Sequence, residues 1–261
     1  MHRSALAAGG LAAVFTLAGI GPAGAESGPG QPVLGAHAGD SARVAGDSAA
    51  PPSGEAAVPR DGGVYFRDAF NGPTRAWSNV VARWSVSGGH LRAQGLPGRL
   101  NAVKRTGQYA DFVYDVRMNR AGNGNGGDAN CLVTRGRQVH TARGPMMSGY
   151  YFCYTNNGSA LIAYIDPHGE VDYLMEPVRM PEVIGNGGGY RTVTVQMRGA
   201  TYAFYINKYP IYEAVAEKGL PLRGQVGIAF DLSSGQRATM AVDSAALYRP
   251  EPASMGANAG S

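Results

Sequence analysis

Between Gly62 and Arg249 the apolar positions come in short runs rich in Val, Ile, Tyr, Phe and Thr, broken by Gly, Asn or Pro. Runs such as "DFVYDVRM", "NCLVTR", "GYYFCYT", "ALIAYI", "EVDYLM", "RTVTVQM", "TYAFYI", "GQVGIAF" and "ATMAVDSAALY" have the length and β-branched or aromatic content of strands. No stretch carries the periodicity of an amphipathic helix. The pattern predicts an all-β domain over residues 62–249, a two-sheet antiparallel sandwich of roughly 190 residues, enough for one sizeable core.

Side chains alternate faces along a strand, so each run assigns its own sides. In "DFVYDVRM", Phe112, Tyr114, Val116 and Met118 share one face, while Val113, Asp115 and Arg117 share the other. In "GYYFCYT", Tyr150, Phe152 and Tyr154 oppose Tyr151, Cys153 and Thr155; in "CLVTR", Leu132 and Thr134 oppose Cys131, Val133 and Arg135. Phe112, Tyr114, Phe152 and Tyr154 are the expected meeting point of the two sheets. The other faces are expected to be wet.

Turn chemistry joins the runs. Asn157-Gly158 in "TNNGSA" is a hairpin signal, which also accounts for the glycosylation sequon written in the same letters. "IDPHGEV" places Pro167 after Asp166 and Gly169 at the end, as a type I turn does, so "EVDYLM" is the return strand of a hairpin begun by "ALIAYI".

The flanks differ. Residues 1–25 read as a secretory signal peptide: a basic start, an apolar run from Ala5 to Ile20, then small residues up to Ala25. That run is 16 residues, short of the roughly 20 that span a bilayer, so no membrane span is expected and the mature chain is expected outside the cell. Residues 26–61 and 250–261 are dominated by Gly, Ala, Ser and Pro, and such segments bury too little apolar surface to offset their ordering entropy. They are expected to be a linker and a tail.

The net charge is +4, and the leader would take Arg3 with it, leaving +3. So small an excess does not call for nucleic acid. The only two cysteines, Cys131 and Cys153, are expected to pair in an exported protein. A register with Cys131 opposite Cys153 sets Val133 against Tyr151. Two cysteines and no clustered histidines argue against a zinc site.

The ordered series "FRDAFNG" at Phe66, "WSVSGGHLRA" at Trp84, "YADFVYDVRM" at Tyr109, "CLVTRGR" at Cys131, "SGYYFCYTNNG" at Ser148, "YRTVTVQMRGATYAFYINKYPIYE" at Tyr190, "GQVGIAF" at Gly224 and "VDSAALY" at Val242 resembles the concanavalin A-like lectin/glucanase sandwiches, especially laminin G-like and 3-keto-disaccharide hydrolase-like domains. The resemblance implies a jelly roll that takes a polysaccharide or oligosaccharide on its concave sheet. Asp115, Arg117, Arg135 and Tyr151 are the expected ligand-binding residues, with Arg137 and His140, in the long loop "GRQVHTARGPMMS", as one wall. Planar donors, carboxylates and aromatic rings are what sugar hydroxyls and ring faces require. No cofactor is required, although the resemblance offers Asp243 as a ligand for structural calcium, and "NRAGNGNGGDAN" carries further oxygens at Asn123, Asn125 and Asp128.

"GEVDYLMEP" is similar to the Glu-x-Asp-x-Glu and Glu-x-Asp-x-x-Glu motifs of family 16 glycoside hydrolases, which makes Glu170, Asp172 and Glu176 the catalytic candidates. Their spacing is one residue longer than the bulged motif. At about 3.3 Å per residue the outer pair would lie roughly 20 Å apart along a regular strand, against about 5–5.5 Å for a retaining pair. No nucleophile-elbow motif frames His90, His140 or His168. The expected function is therefore a secreted, non-catalytic carbohydrate-binding sandwich. Alternatives are a glycoside hydrolase on the same scaffold and a laminin G-like adhesion domain.

Overall fold

The structure is a computed structural model and describes residues 63–122, 126–216 and 220–250. The leader, the whole linker and all but the first residue of the tail expected from the sequence lie outside the described residues.

The strands in chain order are β1 (Val64–Asp68), β2 (Trp77–Asn79), β3 (Trp84–Ser87), β4 (His90–Gln94), β5 (Arg99–Arg105), β6 (Phe112–Gly122), β7 (Ala129–Thr141) and β8 (Gly144–Thr155). They continue with β9 (Ser159–Ile165), β10 (Val171–Arg179), β11 (Arg191–Arg198), β12 (Thr201–Ile206), β13 (Tyr209–Val215), β14 (Gln225–Leu232) and β15 (Ala238–Tyr248). One short helix, α1 (Pro181–Ile184), interrupts them. One sheet has eight strands in the order β13-β12-β11-β6-β15-β4-β3, with β1 also paired to β15. The other has seven, in the order β10-β9-β8-β7-β14-β5-β2, and every pairing is antiparallel.

The core lies where alternation puts it. Phe112, Tyr114, Val116 and Met118 of β6 and Tyr150, Phe152 and Tyr154 of β8 are buried in one cluster between the sheets. Phe152 packs edge-on against Tyr202 and Phe204 at 5.5 and 5.6 Å. A buried phenol must keep a hydrogen-bond partner. Tyr114 and Tyr154 meet this by donating across the sandwich to Gly227 O at 3.4 Å and Met118 O at 3.3 Å.

Cys131 stands opposite Cys153 and the two are bonded, with Val133 opposite Tyr151 as the alternation requires. The Asn157-Gly158 hairpin joins β8 to β9, with Gly158 at φ 84° donating to Thr155 O. The Asp166–Gly169 turn returns the chain into β10 beside β9.

Two expectations change. "GRQVHTARGPMMS" is no open loop, because β7 continues to Thr141 and β8 begins at Gly144, pairing in register past a bulge. The outer face of the seven-stranded sheet is not wet either. Cys131, Val133, Tyr151, Cys153, Leu161, Ala163 and Ala229 join Leu100, Ala102, Val80 and Val81 in a second apolar cluster. The sheet's centre is thus buried on both faces, and its strands read as continuous apolar runs rather than alternating ones.

Candidate functional site

The residues predicted to share one glycan face are split between the two sheets. Strand β6 pairs with β11 and β15, which puts Asp115 and Arg117 on the eight-stranded sheet, whereas Arg135 and Tyr151 belong to the seven-stranded one. Alternation told the face of each side chain but not the partner of its strand.

Tyr151 is fully buried in the second apolar cluster, and its hydroxyl donates to Met147 O at 2.7 Å. Burial alone pushes its phenol well above the ordinary range. Arg135 leaves the outer face because the β7–β8 register slips between Thr134 and Arg137, and Arg135 itself adopts φ 48°. A bulge re-aims a side chain in this way. Its guanidinium donates to Ala110 O at 3.0 Å and Gly199 O at 2.6 Å, tying β7 to the opposite sheet. Past the bulge Arg137 is exposed opposite Ser148, and His140 is exposed near the hairpin tip.

Asp115 and Arg117 line a groove of about 750 Å³ on the outer face of the eight-stranded sheet. The register explains their company. Thr192 and Ser244 flank Arg117, while Thr194 and Ala246 flank Asp115. Asp115, 8% exposed, accepts a 2.6 Å hydrogen bond from the Thr194 hydroxyl. The groove's ends are cationic. Lys208 is presented by a tight turn in which Asn207 and Lys208 take φ 51° and 72°, as primed hairpin turns require. Arg67 lies 5.4 Å from the Tyr248 ring centroid. Asp68 also lines the groove, but its two oxygens accept from Phe70 N and Trp77 Nε1, both at 2.9 Å, and so secure the turn after β1.

Arg117 connects this groove to a neighbouring cluster. It lies 2.6 Å from Asp243 Oδ2 and 4.5 Å from the Tyr190 ring centroid. Tyr190 also stacks on His90 at 5.9 Å, and His90 Nε2 is 3.5 Å from Asp243 Oδ1. Asp243 therefore faces a guanidinium and an imidazole, which opposes a cation between its oxygens. No group of three or more metal-ligating side chains occurs among the described residues. The expected calcium ligand is instead an ion-pair partner.

Of the further oxygens in "NRAGNGNGGDAN", Asn123 and Asn125 lie outside the described residues, and Asp128 is buried. It forms a 3.0 Å ion pair with Arg120 and accepts from the Ser233 hydroxyl at 2.5 Å. Asp231 lies close by, fully buried, its carboxyl pushed up to about 8 by burial first and then by the charge of Asp128.

Glu170, Asp172 and Glu176 lie on or just before β10, an edge strand. Asp172 and Glu176 are exposed; one register slip, between Tyr173 and Met175, separates them, and Glu176 lies within a second, between Met175 and Val178. Glu170 belongs to the preceding turn, where its N–H donates to Asp166 Oδ1. The three carboxylates do not converge on a common point of a central strand.

No family model matches the chain, and no curated protein matches its sequence. Solved structures do share the fold. The catalytic domain of an endo-1,3-beta-glucanase (laminarinase) from Thermotoga petrophila aligns with a TM-score of 0.54 at 8% identity, covering 74% of this chain and 100% of that one. The Bacillus licheniformis beta-glucanase gives 0.51 at 13%, covering 73% and 100%. A beta-1,3-glucanase from Mycobacterium marinum gives 0.50 at 13%, covering 72% and 100%. These likenesses, with the two-sheet topology, show the fold: an all-β, two-sheet antiparallel jelly-roll sandwich like that of the glucanases.

Proposed function

We propose that the chain is a secreted, non-catalytic carbohydrate-binding sandwich that takes a glycan along the outer groove of the eight-stranded sheet. The observation that carries this reading is the groove itself, about 750 Å³, with Asp115 and Arg117 side by side on its floor and Thr192 and Ser244 beside them. A carboxylate, a planar guanidinium and hydroxyls offer acceptors and donors at fixed spacing, as sugar hydroxyls require. The volume lies within the range of about 300–1,000 Å³ usual for small-ligand sites.

The absence of catalysis is read from β10. A retaining glycosidase holds its two carboxyl groups about 5–5.5 Å apart, whereas Glu170 precedes an irregular edge strand and Glu176 lies six residues further along it. The glucanases of similar fold favour a second reading, hydrolysis on the same scaffold.

One experiment tests both readings. The full chain is incubated with a panel of insoluble polysaccharides, and retention and released reducing ends are followed together. Retention without new reducing ends is expected. Released ends that disappear in Glu170→Gln or Glu176→Gln would establish the hydrolase; indifference to every glycan would reject both.

A further inference from the structure

A second recess, of about 590 Å³, opens at the end of the seven-stranded sheet where β14 begins and the β7 bulge breaks the ladder. Close backbone packing shapes it. A Cβ on Gly224 would stand 2.3 Å from Arg135 C, and one on Gly136 would stand 2.8 Å from Ser148 O. Only glycine at these positions lets β14 and β8 approach the bulged strand.

The lining of this recess is one-sided in charge. Lys104, Arg137 and Arg223 contribute to it from three different segments, and no Asp or Glu lines it among the described residues. Lys104 is held toward the opening by a 3.5 Å hydrogen bond to Gln225 Oε1. A fourth cation, Arg135, is built into the wall with its side chain fully buried. Its Nε and Nη2 are satisfied by backbone carbonyls, whereas Nη1 has no hydrogen-bond partner. The nearest carboxylate to it, Asp111, is 3.8 Å away and about half exposed, so solvent screens it. Lys104, Arg137 and Arg223 around one recess without a lining acid create a positive potential that a bound anion offsets.

The remaining lining favours a sugar as the carrier of that anion. Tyr164 is half-buried, locked edge-on against Tyr150 at 5.4 Å, and offers a ring surface at the mouth. Gln138 and Gln225 add amides able both to donate to hydroxyls and to accept from them. Guanidinium forks match a planar carboxylate in geometry as well as charge.

We propose that this recess binds the carboxylate of a uronate residue in an acidic polysaccharide, with Arg137 and Arg223 contacting the anion and Tyr164 lying against the sugar ring. The proposal rests on the reading of the chain as a glycan binder and names the glycan class that this second site selects.

The test titrates the full chain with polygalacturonate, with the same polymer after reduction of its carboxyl groups, with dextran sulfate and with a neutral β-glucan. Polygalacturonate is expected to bind at least tenfold more tightly than its carboxyl-reduced form. Arg137→Ala combined with Arg223→Ala is expected to remove at least tenfold of that affinity. Arg179→Ala, at the other end of the same sheet, is expected to change it less than twofold. Equal loss in Arg179→Ala, or dextran sulfate binding as tightly as polygalacturonate, would mean unselective attraction to polyanions and overturn the proposal. So would unchanged binding in the double variant. Neutral glucan bound without polygalacturonate sinks this site alone; failure of all four polymers sinks the glycan-binding reading with it.

Discussion

Arg120 Nη1 lies 3.0 Å from Asp128 Oδ2, and the two side chains are only 1% and 2% exposed. Strand β6 thereby gains a charged anchor at its far end, beside Asp231 and Ser233. Burial pulls the Arg120 guanidinium below its ordinary range and Asp128 pulls it back up, so the pair is retained only as a pair.

Removing one partner of such a pair strands the other charge away from water, at a cost of about 3–5 kcal/mol. Asp128→Ala is therefore expected to lower unfolding stability by about that amount in urea titrations. Replacing Arg120 with Met and Asp128 with Leu together is expected to recover most of the loss. A loss below about 1 kcal/mol in Asp128→Ala would show that the pair is not desolvated as the structure has it.

Asp231 gives a pH dependence with a definite sign. In the fold its carboxyl keeps a proton up to about 8, while in the unfolded chain it releases one near the ordinary 3.8. The native state therefore binds more protons across that window, and stability from this group falls as pH rises from about 4 to about 8. Asp231→Asn is expected to flatten that loss, so thermal unfolding at pH 4, 6 and 8 should show the variant gaining on the wild type toward pH 8. A constant difference at all three values would contradict the assignment.

The Cys131–Cys153 bond closes a separation of 22 residues, and both cysteines are fully buried. A loop of that length corresponds to about 3 kcal/mol in the chain-entropy account. Native protein is expected to resist dithiothreitol until denaturant opens the sheet. The reduced chain is expected to unfold at lower urea by a margin equal to about 3 kcal/mol. Rapid reduction without denaturant would show that the outer face of this sheet is accessible.

Gly224→Ala drives a methyl group into the backbone of Arg135 rather than into a side chain that can rotate aside. Overpacking of this kind costs about 1–3 kcal/mol. The same shift displaces the Arg135 guanidinium from Ala110 and Gly199, so calorimetry is expected to show a lowered Tm in Gly224→Ala. An unchanged Tm would mean that β14 and β7 are less closely packed there.

The strands of the core and the register of β7 against β8 were legible because their signals are local. Alternation at Phe112, Tyr114, Phe152 and Tyr154 needs only neighbours two residues away, and the cysteines fix the pairing of β7 with β8. What stayed hidden depends on distant partners. Nothing near Asp115 or Arg117 says that β6 pairs with β11 and β15. Tyr151 is dry because Leu100 and Ala229, remote in sequence, share its cluster. One inserted residue turns Arg135 from the outer face toward the other sheet, and bulges carry no reliable signature in a single sequence. Lys208, Tyr248 and Arg67 were missed as groove residues for the same reason, although the Asn207-Lys208 turn between two apolar runs marks a hairpin tip.

The glycan-binding groove is tested most directly by isothermal titration of the full chain with soluble fragments of whichever polysaccharide retains it, comparing wild type with Asp115→Asn and Arg117→Ala. Arg117 is half exposed, so its removal leaves the core intact. Each substitution is expected to weaken binding by about tenfold, near 1.4 kcal/mol, with unfolding stability within about 1 kcal/mol of the wild type. Fragments that bind both variants as tightly as the wild type would place the glycan elsewhere and contradict the account.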